Sequence, residues 1–334
     1  MEAMLASLIR IATLLNPYGK IFLYSVDPGA YAIMRPIYEL LSSSGKNTQW
    51  IVDGWCRNAI ECEYPFMVLS SFKEDFCQIN VDGCCMVLGS QTDFEATHKA
   101  LRFCKEKGIA TIFLFDHWAN YLSHFHSPKD NRAHLPDKIC VPDEIARQSL
   151  IVELSTLWPN ERYAENIHVV GHPAIENSVN AICSLSPNEC ERVKRRLIPV
   201  NKKVVLFLLE SIEDDFGYNS DGTPFLGYNE YSILRHILSL PDFEDVQIII
   251  KPHPRQDIEK IKAFLMSYAH RDILLLENEK LENLIAIADE ILGMTTVALI
   301  IAFKAGKKIS SIQVGRNERG KNLSNPYLEE NIVL

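Results

Sequence analysis

IIIKPHPRQD, residues 248–257, runs three β-branched apolar residues into a lysine, two prolines that bracket a histidine, and an arginine. Lys251 supplies a point charge and Arg255 a forked one. Pro254 restricts the backbone of the residue before it, so His253 is held in place. An imidazole N–H held in this way can donate to a phosphate oxygen and stabilise a departing phosphate. The plain alternative is a basic turn whose prolines merely end a strand. In ILGMTTVALIIAFKAGK (291–307), an apolar run ends at Gly293, and Thr295 and Thr296 open an apolar helix. Two hydroxyls and the first free N–H groups of a helix make a phosphate cradle, whereas a capping threonine makes only a helix start.

Three further stretches lie in the first half. SVDPGAYA (25–32) puts Asp27 at a strand end and Gly29 in a tight turn before a helix. Free N–H groups there can hold an anion or a substrate hydroxyl, or Asp27 is a helix cap. LFDHWANYLSHF (114–125) brings Asp116 and His117 out of a buried strand, followed by Trp118 and Tyr121. A carboxylate beside an imidazole suits general-base work on a hydroxyl, and the two aromatic rings can floor a sugar. The alternative is a structural hydrogen-bonded pair beside a buried tryptophan. VVGHPAIEN (169–177) reads as a structural hinge. His117, His124, His126 and His134 match no common zinc spacing, so no metal is expected.

The elements that must position these residues alternate between short apolar runs and helical patterns. Strands are expected at 20–26, 48–53, 66–70, 84–89, 110–116, 137–143 and 166–171, with helices in several of the gaps. The pattern then restarts with a helix at 187–198, a strand at 202–211, and further strands beginning near 246, 272, 290 and 308, the last of the set. Nearly continuous apolar runs suit strands buried on both faces, and strand–helix alternation implies parallel, doubly wound sheets. Ligands in such sheets sit beyond the carboxyl ends of the strands, where all five stretches fall. The expected fold is therefore α/β, with two Rossmann-like domains: 1–171, a linker at 172–186, and 187–334. No internal sequence repeat or low-complexity segment is evident.

The totals agree with this. A length of 334 residues suits two domains, and 47% hydrophobic with 23% charged residues is an ordinary globular composition. A net charge of −9 argues against nucleic acid as the main partner. Nine cysteines without a CxxC pair read as reduced core thiols rather than a disulfide framework. The apolar start, MEAMLASLIRIATLL, reads as a helix, not a signal peptide, and no apolar run reaches a membrane span. A cytoplasmic protein is expected, with peripheral contact at the inner face of a membrane left open. No Walker loop, GxGxxG after the first strand, or GxSxG elbow is present, which lowers kinase, dehydrogenase and hydrolase readings.

KPHP at 251–254 and GMTTVALIIAFKAGK at 293–307, with their spacing, resemble the GT-B class of glycosyltransferases. More narrowly they resemble the bacterial HP-motif group of sialyltransferases, polysialyltransferases and CDP-glycerol glycerophosphotransferases. The VGHPAIEN exit resembles the segment joining the two domains of GT-B proteins, UDP-N-acetylglucosamine 2-epimerases included. The resemblance implies two domains facing across a cleft, with the nucleotide donor on the second and the acceptor on the first. It places donor phosphate at His253, with Lys251 beside it, and at Thr295 and Thr296; the reading of the residues adds Arg255 to the phosphate group and Glu210, Ser211, Gly29 and Gly293 to the cleft. The acceptor would lie near Trp118 and Tyr121, with Asp116 or Asp27 as base beside His117. The family's acidic-acidic-Gly motif is absent from the first half. The implied activity is metal-independent and cofactor-free transfer of a sugar or sugar acid, from a CMP- or CDP-linked donor in preference to a UDP-linked one. The acceptor is a glycan or lipid-linked molecule, and the setting is surface-polysaccharide biosynthesis. Rival expectations are a UDP-sugar 2-epimerase or hydrolase of the same fold, and a non-catalytic nucleotide-sugar-binding protein.

Overall fold

The computed structural model describes residues 2–60, 64–68, 81–127, 132–159, 163–198 and 202–333. The chain divides into two compact units, Met1–Glu176 and Asn177–Leu334. The boundary falls inside a 12-residue helix, Pro173–Ser184, so the stretch expected as a linker is largely helical. Pro173 suits that start, because the first turn of a helix does not need its N–H.

Unit 1 begins with helix α1 (Glu2–Leu15) and strand β1 (Lys20–Ser25), then α2 (Pro28–Ser43) and β2 (Asn47–Val52). After α3 (Gly54–Ile60) come β3 (Phe66–Val68), β4 (Cys84–Gly89), α4 (Phe94–Lys107) and β5 (Ala110–Leu114). Residues 69 and 70 of the strand expected at 66–70 lie outside the described residues. A two-residue hairpin pair, β6 (His126–Ser127) and β7 (Arg132–Ala133), precedes β8 (Lys138–Val141), α5 (Glu144–Leu157) and β9 (Ile167–Val169). The seven-stranded sheet has the order β3-β2-β1-β4-β5-β8-β9, and every pairing is parallel. Every residue of β4 is buried, as a strand covered by helices on both faces requires. Seven described cysteines are free, and burial pushes the thiols of Cys56, Cys104 and Cys140 up to about 12. These are packing residues with little thiolate at neutral pH.

Unit 2 takes the second part of α6 (Pro173–Ser184), then α7 (Pro187–Leu197) and β10 (Val204–Leu208). Between β10 and α9 (Glu230–Ser239) lies a segment that contains the short helix α8 (Ile212–Phe216). Next come β11 (Gln247–Lys251), α10 (Ile258–Leu265), β12 (Ile273–Leu275), α11 (Leu281–Ile287) and β13 (Glu290–Gly293). The chain finishes with α12 (Val297–Lys304), β14 (Ile309–Ile312), α13 (Glu318–Asn322) and β15 (Ile332–Val333). The sheet order is β12-β11-β10-β13-β14-β15, again wholly parallel. Thus β14 is not the last strand: Ile332 and Val333 pair with Ser311 and Ile312 at the sheet edge. A two-residue strand is too short to be read from periodicity.

Each sheet reverses direction of winding once, between β1 and β4 in unit 1 and between β10 and β13 in unit 2. Such a reversal opens a crevice at the carboxyl ends of the strands. No helix among the described residues is long and apolar enough to cross a membrane.

The segment after α8 is tied to the end of β14 by a backbone crossing. Gly227 has φ of +86°, and a Cβ there would lie 2.0 Å from the Gly315 carbonyl oxygen. Neither the dihedral nor the space admits a side chain. Gly227→Ala is expected to cost about 2–4 kcal/mol in urea denaturation. An unchanged midpoint would show that this crossing is not tight.

Candidate functional site

Both carboxyl edges gather the residues singled out in the sequence, and they use them differently. In unit 1, Asp27 follows β1 in extended backbone and makes no side-chain cap to α2. Its Oδ2 instead accepts the Thr92 N–H at 2.6 Å and the Thr92 hydroxyl at 2.8 Å. Asp27 therefore clamps the exit of β4 to the exit of β1, across the winding reversal.

Asp116 follows β5 and is held through its backbone. Its N–H donates to Ser90 Oγ at 3.1 Å, and its carbonyl accepts from His172 Nε2 at 3.2 Å. The Ile175 N–H donates to His172 Nδ1 at 3.2 Å, so the ring hydrogen belongs on Nε2. Burial lowers the His172 pKa, which keeps that imidazole neutral. The Asp116 carboxylate itself has no hydrogen-bond partner among the described residues. It rests against the first turn of α2: a Cβ on Gly29 would lie 1.8 Å from its Oδ2. Gly29 is required there because a carboxylate occupies the space a side chain would fill. Asp27, Gly29 and Asp116 thus meet at one edge, as expected.

The expected pair of Asp116 with His117 does not form. His117 Nε2 lies 3.3 Å from His124 Nε2, and its ring stacks on Phe115 with centroids 5.6 Å apart. His124 is fully buried, and burial holds its pKa well below the usual value. His117 belongs to this aromatic cluster and does not serve Asp116. Trp118 and Tyr121 are corrected in the same way. Trp118 is 3% exposed, stacks on His172 and donates its indole N–H to Asp143 Oδ2 at 2.8 Å. Tyr121 is wholly buried and meets Phe115 edge-on. Neither ring has a face that a sugar can reach. Both rings, whose amphipathic character suggested a sugar floor, are packed internally, and the Trp118 N–H is satisfied by Asp143.

In unit 2, Glu210 leaves β10 and crosses to the exit of β13, which ends at Gly293. One carboxylate oxygen accepts the N–H groups of Met294 and Thr295 at 3.1 and 2.7 Å, and the other accepts the Thr295 hydroxyl at 2.6 Å. Burial raises the Glu210 pKa, opposed by these hydrogen bonds. The expected phosphate cradle is therefore occupied by the protein's own carboxylate. Thr296 is a helix cap, its hydroxyl accepting the Ala298 N–H at 3.2 Å.

The cations around His253 are also engaged. Arg255 makes a bidentate pair with Asp215 at 2.9 and 2.7 Å. Lys251 donates to the Glu277 carbonyl, and burial lowers its pKa. His253 Nδ1 lies 3.2 Å from the Ser211 hydroxyl and accepts the Arg255 N–H at 3.3 Å. An N–H donating to Nδ1 leaves Nε2 as the hydrogen-bearing nitrogen of the neutral ring. His253 and Ser211 thus come together at the end of two adjacent strands, β10 and β11.

Sequence reasoning missed Thr92, Ser90, Asp215, Gln256 and Glu230. A signal for Thr92 was present: LGSQTD (88–93) and LGMTT (292–296) both place a threonine just beyond a strand-ending Leu-Gly. The other four are polar residues in loops, within the short helix α8 or at the start of α9, with no spacing to mark them.

Glu230 is 1% exposed, and burial pushes its carboxyl up to about 7 from 4.5. An acid with a raised folded-state pKa binds more protons folded than unfolded in that window. Stability then falls as pH rises from about 4.5 to about 7. Glu230→Gln is expected to remove this slope and to raise the denaturation midpoint at alkaline pH. Parallel pH dependence in the variant and the native chain would assign the slope elsewhere.

No family model and no curated protein matches the chain. Solved structures do match. S. aureus MnaA in its UDP co-structure superposes with a TM-score of 0.59 at 14% identity, over 95% of this chain and 84% of that one. The UDP-GlcNAc 2-epimerase from Neisseria meningitidis bound to UDP-GlcNAc gives 0.54 at 15% identity, over 91% and 85%. A glycosyltransferase from Rickettsia africae ESF-5 gives 0.54 at 14% identity, over 91% and 81%. At this identity the likeness is one of fold: two Rossmann-like parallel-sheet units, with GT-B nucleotide-sugar enzymes among their structural neighbours.

Proposed function

We propose that the chain is a GT-B glycosyltransferase that moves a sugar or sugar acid from a nucleotide-activated donor to a glycan or lipid-linked acceptor. The observation that carries this reading is the state of His253. Its Nδ1 is held by Ser211 and the Arg255 N–H, so the hydrogen of the neutral ring is on Nε2, at the carboxyl edge of the unit 2 sheet. In the reaction, an acceptor hydroxyl forms a bond to the anomeric carbon as the bond from that carbon to the donor phosphate breaks. The electron pair leaves on the phosphate oxygen, and the His253 Nε2–H stabilises the charge that develops there. The acceptor proton goes to a carboxylate.

Asp116 is the base of choice over Asp27. Its carboxylate is uncommitted, whereas Asp27 is bound to Thr92 through N–H and hydroxyl. Lys251 remains a second donor toward phosphate, since an ammonium has three N–H groups and the Glu277 carbonyl takes one. Arg255 and Thr295 shape the site through Asp215 and Glu210 instead. The scheme draws on side chains alone, with the donor as substrate and no resident cofactor. Surface-polysaccharide assembly at the cytoplasmic side of a membrane is the setting we infer from the HP-motif resemblance alone.

A cytidine-linked donor rests on the HP-motif resemblance. UDP-linked donors have support from the fold neighbours solved with UDP and UDP-GlcNAc. The same neighbours favour a second reading, 2-epimerisation or hydrolysis of a UDP-sugar.

A thermal-shift series with CMP, CDP, UMP, UDP, GDP and ADP separates these, because a ligand that binds only the folded state raises the midpoint. A cytidine nucleotide shift that His253→Ala abolishes supports the first donor class, and a shift with UDP alone supports the second. No shift with any nucleotide overturns the donor reading. In a transfer assay, His253→Ala is expected to lose about 100-fold or more in kcat. Asp116→Asn should lose about 100- to 10,000-fold. Gly29→Ala should follow it in direction by displacing the carboxylate, and Asp27→Asn should chiefly destabilise. Turnover in Asp116→Asn near the native value would remove Asp116 as base.

A further inference from the structure

Gln256 lies buried behind the His253 turn. Its Oε1 accepts the His253 N–H at 2.8 Å. Its Nε2 donates to the Glu210 carbonyl at 2.9 Å and reaches Glu230 Oε1 at 3.4 Å. Its own N–H closes the turn onto the His253 carbonyl at 3.0 Å. A side-chain amide offers one acceptor and two donors together, and all three are used here. The orientation of the amide is also determined twice over, by an N–H at His253 and by a C=O at Glu210. A carboxylate at 256 could accept from His253 but would oppose both other partners.

Glu230 is the outer end of this chain of contacts. Its Oε2 accepts the Glu213 N–H at 3.0 Å. No ion pair neutralises it among the described residues. The charged group that acts on it directly is Glu213 on α8, and its neighbour Tyr231 on α9 faces Lys260, Glu213 and Asp214 as well as Glu230 itself. Lys260 is bonded to Glu213 at 2.5 Å, not to Glu230. An ionised Glu230 accepts only and so draws the Gln256 N–H toward itself. A protonated Glu230 carries its own O–H and relaxes that demand. Burial places the change of state near neutrality, at about 7.

We propose that Gln256 is a positioning residue for the transfer reaction, holding the His253 turn and passing to it the charge state of Glu230. This role rests on the reading of His253 as the donor-phosphate group, but the hold itself can be read without any ligand.

The test is NMR of the full chain, free of nucleotide, with His253 and Gln256 resonances assigned. In the native chain at about pH 8.5, where an ordinary imidazole is neutral, His253 should show the Nε2–H tautomer alone. In Gln256→Leu it should show a mixture of tautomers and a backbone N–H shifted toward weaker hydrogen bonding. Across pH, the Gln256 side-chain amide should show a step near 7, absent in Glu230→Gln. An unchanged His253 tautomer in Gln256→Leu, or a step that persists in Glu230→Gln, overturns the proposal. If Gln256→Leu fails to fold, the Glu230→Gln result decides. In the transfer assay Gln256→Leu should lower kcat about tenfold with donor KM within about twofold, the signature of misplacement in the transition state. Intact NMR behaviour with no nucleotide binding in the native chain would instead end the donor reading, and with it the role in transfer, while leaving the hold of Gln256 on the His253 turn standing.

Discussion

In each unit a carboxylate bridges the point where the sheet reverses its winding. Asp27 joins the exit of β1 to Thr92 beyond β4, and Glu210 joins the exit of β10 to Thr295 beyond β13. The physical need is the same in both. At a reversal two neighbouring strands lead into helices on opposite faces, so their exits part and leave backbone N–H groups unpaired. A carboxylate accepts from an N–H and a hydroxyl together, and each hydrogen bond to a charged group contributes about 1.5–3 kcal/mol. The crevice that could hold a ligand is thereby shaped by a bond that also consumes the most obvious anion-binding groups.

That constraint redistributes the candidate chemistry. With Met294 and Thr295 engaged by Glu210, the helix start after β13 no longer presents an open cradle. With Asp215 bound to Arg255, the forked cation beside His253 is neutralised locally. In unit 1 the Asp116 carboxylate has no hydrogen-bond partner among the described residues, and in unit 2 the neutral His253 ring carries its hydrogen on Nε2. Both are positioned through backbone: His253 by Gln256, and Asp116 by Ser90 and His172. Residues that act by geometry benefit from this arrangement, because a rigid strand exit holds the side chain with little freedom to lose.

The aromatic residues after β5 show how burial decides between two uses of one residue type. Trp118 and Tyr121 could pack against a sugar or against the core, and the sequence is the same in either case. Here the chain turns back after Asp116, and both rings pack beneath that turn, against His172 and Phe115. His117 follows them inward to His124. The result is a firm support under Asp116 in place of a binding face beside it.

Strand positions and the parallel, twofold α/β plan were legible because buried parallel strands read as unbroken apolar runs, and strand ends in such sheets are where polar residues matter. KPHP, DPG and DHW lie at the carboxyl edges of the two sheets, and Gly29 and Asp116 meet there beside Asp27. The two-residue strand at the chain end was not legible, since it is too short for a period, and the helix across 173–184 was passed over as a hinge, although a proline suits a helix start. Which polar groups are committed to one another could not be read along the chain at all. Asp27 and Thr92 are 65 residues apart, and Glu210 and Thr295 are 85 apart. Hydrogen bonding is settled by distances of about 3 Å in space, which only the tertiary packing of strand exits determines.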